Sequence, residues 1–324
     1  ELWQNNILSG PLTHKFNTIS NLTNGLVQFG ILKPLEGLYS GGVPGMRDAL
    51  AVWKGTLPGI SRGLANAAYG WENEVRRSAM IGSDQKFREG VGRTGKIGGK
   101  WGKRIRASYR ALLAEDEFFR GVWGEMQAAS TAYGIARREG LKGDALTKRM
   151  QELQADPHSD AWLDNDEIVD EYLFQEKLGD VGRAVVNLRN NIPGLRYIIP
   201  FVSTNVNVAK RGFSFLPGAG VLSELAGHKG GSKDASLGAR IAARQTVGVL
   251  MTMAVIGMLD DEEDPLISGS PVASRIGENR QAERDFQMRT GGAQSIKLGD
   301  DWYSFARLEP FATTVSVIAD FITA

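Results

Sequence analysis

The sequence predicts a mainly α-helical chain, an extended multi-helix assembly segment that carries one small β-hairpin near residues 294–306. Three observations predict it. Ile105, Tyr109, Leu112, Phe119, Trp123, Met126 and Tyr133 recur at alternating four- and three-residue steps, which lays an apolar seam along one face of a long helix. Shorter segments bounded by cap-type residues and glycines repeat the helical pattern before and after it. Only at 294–298 and 302–306 does the period shorten to two, across a turn of Gly299, Asp300 and Asp301.

In chain order, helices are expected at 44–53, 61–78, 103–138, 144–155, 164–177, 181–190 and 236–259. Asp144 and Ser236 suit N-caps, and Gly140 and Gly179 suit helix ends. Pro193 and Pro200 force extended backbone before each ring and so break the helical run, with Phe201 and Asn207 completing an assembly elbow. Glycine and proline density across 212–238 reads as a boundary loop. These punctuations divide the chain into an N-terminal helical segment (1–83), a basic arm with the long helix and acidic helices (84–192), the proline elbow and Gly-rich loop (193–235), and apolar helices with the hairpin (236–324).

A net charge of +1 hides an uneven distribution. Residues 86–110 hold nine Lys and Arg against one Glu, whereas 152–180 hold ten Asp and Glu against one Lys. Arg93, Lys96, Lys100, Lys103, Arg104 and Arg106, interleaved with Trp101 and Tyr109, form the kind of patch that contacts DNA phosphates or anionic lipid heads. The alternative is that this arm pairs with the acidic segment of the same or a neighbouring subunit. Asp116 falls on the apolar seam, flanked by Glu115 and Glu117 outside it. A carboxylate there requires a partner or nearby solvent, and the preceding basic arm is the expected source. With no cysteine, the chain excludes a disulfide scaffold and Cys-ligated zinc. A start at Glu1 without methionine and an end inside an apolar stretch suggest an internal segment of a longer chain.

Residues 245–259 are uncharged and reach about 22 Å as helix, against a bilayer core of about 30 Å. Extension through 241–243, with Arg240 and Arg244 snorkelling, brings the segment closer to a span. Val247, Val249, Leu250, Met251, Met253, Val255, Ile256 and Leu259 would then insert. Residues 311–324 are similarly apolar but carry Asp320, and both segments would also serve as core helices.

Three enzyme-like patterns fail on context. Residues 90–96 (GVGRTGK) have P-loop spacing, but Ile97 replaces the magnesium-holding hydroxyl and no apolar strand precedes it. Gly59, Ser61 and Gly63 match a nucleophile elbow without its strand. His14, His158 and His228 are dispersed. Neither catalytic residue, metal nor cofactor is expected.

Four segments carry a resemblance. They are Ser9, Gly10, Pro11, Thr13, His14 and Asn17, closed by Ser20 and Asn21; Asp116, Glu117, Phe118 and Phe119, followed by Ala136, Glu139 and Gly140; Ile199, Pro200, Phe201, Val202, Thr204 and Asn207; and Ile296, Gly299, Asp300, Trp302, Tyr303 and Pro310. In this order they resemble the large ejection, or internal virion, proteins of short-tailed bacteriophages, with Asn205 standing where a second proline is usual. The resemblance implies a structural role: storage in the virion interior, then release to help build a conduit for genome delivery across the host periplasm and inner membrane. It implies as partners other copies of the chain in a cyclic homo-oligomer, other ejection, core, portal or tail proteins, genomic double-stranded DNA and the host inner membrane. A different reading makes the segment a noncatalytic extension of a virion-packaged lytic transglycosylase or RNA polymerase.

Overall fold

A computed structural model describes residues 11–77, 99–163, 165–176, 178, 180–191, 202–227, 235–261, 264–270 and 292–323. The described residues are mainly helical, with one two-stranded antiparallel sheet, so the predicted fold class is the observed one. The chain forms two compact units, residues 1–204 and 205–324.

The first unit contains α1 (Pro11–Val27), a π turn (Gln28–Leu32), α2 (Lys33–Leu50), a 3₁₀ turn (Ala51–Gly55) and α3 (Thr56–Asn73). It continues with α4 (Gly99–Ile105), α5 (Ala107–Arg138), α6 (Gly143–Ala155), α7 (Asn165–Tyr172) and α8 (Asp180–Asn191). α5 is the axis, and α1, α2, α3, α4, α6 and α7 all pack on it. Its core joins Phe119, Val122, Trp123 and Met126 to Phe29, Val52, Val169, Tyr172 and Leu173. Phe29 meets Trp123 at 5.4 Å and Tyr172 edge-on at 5.3 Å between ring centroids.

The expected single apolar seam of α5 is corrected by this packing. Every residue from 119 to 130 is buried, because helices cover α5 on several sides. The expected continuous helix from Lys103 also breaks, at Arg106 (φ −90°, ψ 15°), where the arginine turns onto Glu74. α5 ends in a Schellman arrangement: Gly140 takes φ +79°, its N–H bonds Arg137 O at 2.9 Å, and Leu141 N–H bonds Ala136 O at 3.1 Å. α6 then folds back, and Leu146, Met150 and Leu153 pack on Ala132 and Ala136. Asp144 lies in the first turn of α6 rather than at its N-cap, which is Lys142.

α3 approaches α5 more closely than side chains with a Cβ allow. At Gly63 a Cβ would stand 2.5 Å from the Phe118 carbonyl oxygen, at Gly59 2.9 Å from that of Val122, and at Gly121 2.5 Å from the Gly63 backbone. The Gly59, Ser61, Gly63 pattern therefore lies mid-helix, with its two glycines turned to α5.

The second unit holds the C-terminal part of α9 (Val202–Ser214), α10 (Ala219–Gly227), α11 (Ala235–Leu259), β1 (Ser295–Leu298), β2 (Asp301–Ser304) and α12 (Phe311–Thr323). The expected loop over 212–238 is corrected. α9 runs to Ser214, Gly218 at φ +77° makes a tight turn, and Gln245 satisfies that turn by donating to Ser214 O at 3.1 Å and accepting from Gly218 N–H at 2.9 Å. Leu298 pairs with Asp301, so the hairpin turn is two residues, Gly299 and Asp300, rather than three. α11 and α12 share a core of Val255, Ile267, Ile318 and Ala319.

Candidate functional site

Residues 115–120 of α5 lie where α1, the stretch after α3 and the end of α7 converge. His14 Nδ1 stands 2.7 Å from Glu115 Oε1, and Asn17 Nδ2 donates to Glu115 Oε2 at 3.0 Å. Asn17 also hydrogen-bonds the Asp116 carboxyl, so the first two of the four segments that carry the family resemblance touch. Gln175 donates to Asp116 Oδ2 at 3.0 Å and accepts from Arg120 at 2.8 Å. Arg120 also bonds Asp170 Oδ1, and its Nε lies 3.7 Å from Glu117 Oε1. Glu117 is fully buried, and its Oε2 accepts the Arg77 backbone N–H at 3.1 Å.

The arrangement corrects two expectations. Glu117 points into the node instead of lying outside the seam, and among the described residues the cations that face Asp116 are Arg76 and Arg120, neither of them in the basic arm. Spacing explains the second: Arg120 follows Asp116 by four residues and so shares its helix face. Burial raises the Asp116 carboxyl from 3.8 to about 6, against the opposing pull of Arg76, the Asn17 hydrogen bond and Arg120. Farther along α5, burial likewise raises Glu125, opposed by Arg62 at 2.7 Å and by the Gln154 amide.

Carboxylate oxygens of Glu115, Asp116, Glu117 and Asp170 thus each meet an imidazole, amide, backbone N–H or guanidinium. This is a geometry for holding segments together and for taking up a proton near pH 6. A carboxyl raised on folding adds stability that is full below pH 3.8 and lost as pH rises through about 6. Asp116→Asn keeps an acceptor for Gln175 and carries no charge. It is expected to raise the unfolding free energy at pH 7.5 by up to about 3 kcal/mol, and to give no gain at pH 4. Urea titrations at the two pH values read this directly; an equal effect at both would show that ionisation is not the cause.

Of the expected phosphate-contacting residues, Arg93 and Lys96 lie outside the described residues. Lys100, Lys103 and Arg104 are exposed on α4. The Arg104 guanidinium sits 5.4 Å from the ring centroid of Trp101, itself 72% exposed. Arg106 is buried, and its Nε donates to Glu74 Oε2 at 2.9 Å, which removes it from the presented set. Arg110 donates to Trp71 O at 2.7 Å and lies 3.7 Å from Glu74. These arm residues are held by the end of α3, whereas the described partner of acidic Asp170 is Arg120 on α5.

The expected membrane-inserting set on α11 divides between two faces. Val247 and Val255 are buried, and Met251 and Leu259 pack against the core of the second unit. Val249, Leu250, Met253 and Ile256 are exposed. Leu237–Leu259 is, by length and composition, sufficient to cross a membrane. Of the elbow residues, Pro193, Pro200 and Phe201 lie outside the described residues, and Asn207 is buried on α9. His158 is exposed and His228 lies outside the described residues; among those described, no group of three His, Asp or Glu side chains is placed to hold a metal.

No family model, no curated protein and no solved structure matches the chain. The family resemblance therefore rests on the four segments themselves.

Proposed function

We propose that this chain is a structural and translocation segment of a phage ejection protein. In this reading it is packed in the virion and released with the genome, and its copies help form a conduit across the host cell envelope. The observation that carries the reading is the order of the four motif segments along a helical chain. Three features support it. The first and second segments meet where Asn17 hydrogen-bonds Asp116. α4 presents Lys100, Lys103 and Arg104 beside an exposed Trp101. α11 combines a span-length apolar sequence with an exposed face of Leu250, Met253 and Ile256. The chain acts through binding and assembly, with DNA phosphate and the lipid surface as its partners of opposite charge and matching polarity.

A conduit must not grip DNA tightly, so the arm is expected to bind double-stranded DNA weakly and with steep salt dependence. Changing Lys96, Lys100, Lys103 and Arg104 together to Gln should flatten the slope of log K against log salt by up to about 3.6, at about 0.9 per phosphate. Fluorescence anisotropy over a salt series measures it, and an unchanged slope would remove the arm from the DNA-facing role. In flotation with anionic vesicles, Leu250→Glu with Met253→Glu should abolish lipid association. Persistence of full binding would exclude the α11 face.

A further inference from the structure

The outer face of α3, continued from the 3₁₀ turn before it, bears a second exposed apolar surface, with the Arg110 guanidinium 4.2 Å from the Trp71 ring centroid at its end. Trp53, Leu57, Ile60, Leu64 and Trp71 recur at the spacing of a helix-packing seam and are 42%, 79%, 40%, 60% and 40% exposed. The glycine face locked onto α5 lies about a third of a turn around the helix, so the exposed row is held on a rigid support. Between Thr56 and Trp71 the sequence contains a single charge, Arg62. That charge is turned aside, 2.7 Å from Glu125 and 4.4 Å from the Trp162 ring centroid.

These five side chains leave on the order of 500 Å² of apolar surface in water along the 3₁₀ turn and α3, the size at which a patch marks an interaction site. Such a patch supplies most of the roughly 800 Å² that each partner contributes to a standard stable interface. Among the described helices, those apolar enough for lipid are Leu237–Leu259 and the shorter Phe311–Thr323, which favours protein over bilayer on α3. The row is also self-complementary when reversed about position 62. Trp53 then falls opposite Trp71, Ile60 opposite Leu64, and Leu57 opposite the small Ala67. The five side chains are uncharged, and the Arg110 cation over Trp71 lies 3.7 Å from Glu74, so the complement the row fits is itself.

We infer that two copies of this chain pair through α3, antiparallel, about a two-fold axis near residues 61–63. A two-fold pair is the smallest cyclic assembly, so the inference deepens the proposed self-assembly by naming its surface. The large side chains of one copy fill the positions left by Ala67 and Ala68 of the other, and the paired Arg62 charges stay neutralised by their own Glu125.

The chain has no cysteine, so single introduced thiols report geometry without background. In the full 324-residue chain, Ser61→Cys, which lies at the axis, is expected to form a disulfide-linked dimer under mild oxidation. Leu57→Cys, about 15 Å from its symmetry mate at 1.5 Å per residue, is expected to remain unlinked. Sedimentation should give a dimer that Leu57→Glu with Leu64→Lys converts to a monomer of unchanged circular dichroism. A monomeric parent chain, equal cross-linking at 57 and 61, or a dimer indifferent to the charged double variant would each overturn the inference. A dimer formed by a chain that proves absent from virions would leave the pairing standing while removing the ejection reading; the converse pattern would do the opposite.

Discussion

Gly63→Val is expected to unfold the first unit far more readily than any other single change along α3. Its Cβ would enter the space of the Phe118 carbonyl oxygen, and Gly121 faces Gly63 from the other side, so neither helix has a flexible side chain to move away. Overpacking against backbone forces the two helices apart and opens the contacts of Phe119 and Val122 behind it. The expected loss is about 3 kcal/mol or more, a large share of the 5–15 kcal/mol by which a domain is stable. Denaturant unfolding followed by tryptophan emission would measure it. Gly257→Ala is the contrast: with nothing within 4 Å of the added methyl, the last turn of α11 should gain up to about 0.5 kcal/mol. A Gly63→Val protein with an unchanged midpoint would mean that α3 does not approach α5 this closely.

Arg120→Met is the second large effect. Arg120 holds Asp170, Gln175 and Glu117 at once, and its removal strands the fully buried Glu117 in a site with one cation fewer. Breaking a buried pair from one side costs about 3–5 kcal/mol. Replacing both partners, Glu117→Leu with Arg120→Met, should recover most of that loss, since an apolar pair of similar volume is often neutral to stability. The single variant's deficit should shrink as pH falls and the stranded carboxylates take up protons. A double variant as unstable as the single one would show that the node contributes packing rather than charge compensation.

These two contacts also show what was legible in the sequence. The period of α5, the hairpin with Gly299 at its turn, and the extents of α6 and α11 were readable because apolar spacing is a local signal, although Asp144 and Ser236 both fall inside their helices rather than at the caps. α1 was not. Its sequence TISNLTNG has low helix propensity, and its helix is secured by distant partners, with Asn24 donating to Tyr172 O, Asn17 to Glu115, and Gly25 lying against Trp123. The encirclement of α5 was hidden for a related reason. Gly121, Gly124, Ala128 and Ala129 bury faces that a search for large apolar residues passes over.

For the site, Asp116 on the seam correctly announced a buried carboxylate in need of partners. Among the described residues, the cations that meet it are set by the path of the chain after α3, which local charge density does not reveal. Arg106 misled for the same reason: its sequence neighbours are presented cations, but Glu74 lies 32 residues earlier in the chain and adjacent only in the fold. On α11 the hydropathy was readable as a run, whereas its division into a packed face and an exposed face required α12 and the core residue Ile267.

The most direct test of the proposed ejection role is an electron cryomicroscopy comparison of filled virions with virions that have released their genomes. The account predicts density for this chain as a symmetric helical assembly near the portal or tail in filled particles, lost or displaced after release. A chain absent from virions, or one whose density is the same before and after release, would contradict it.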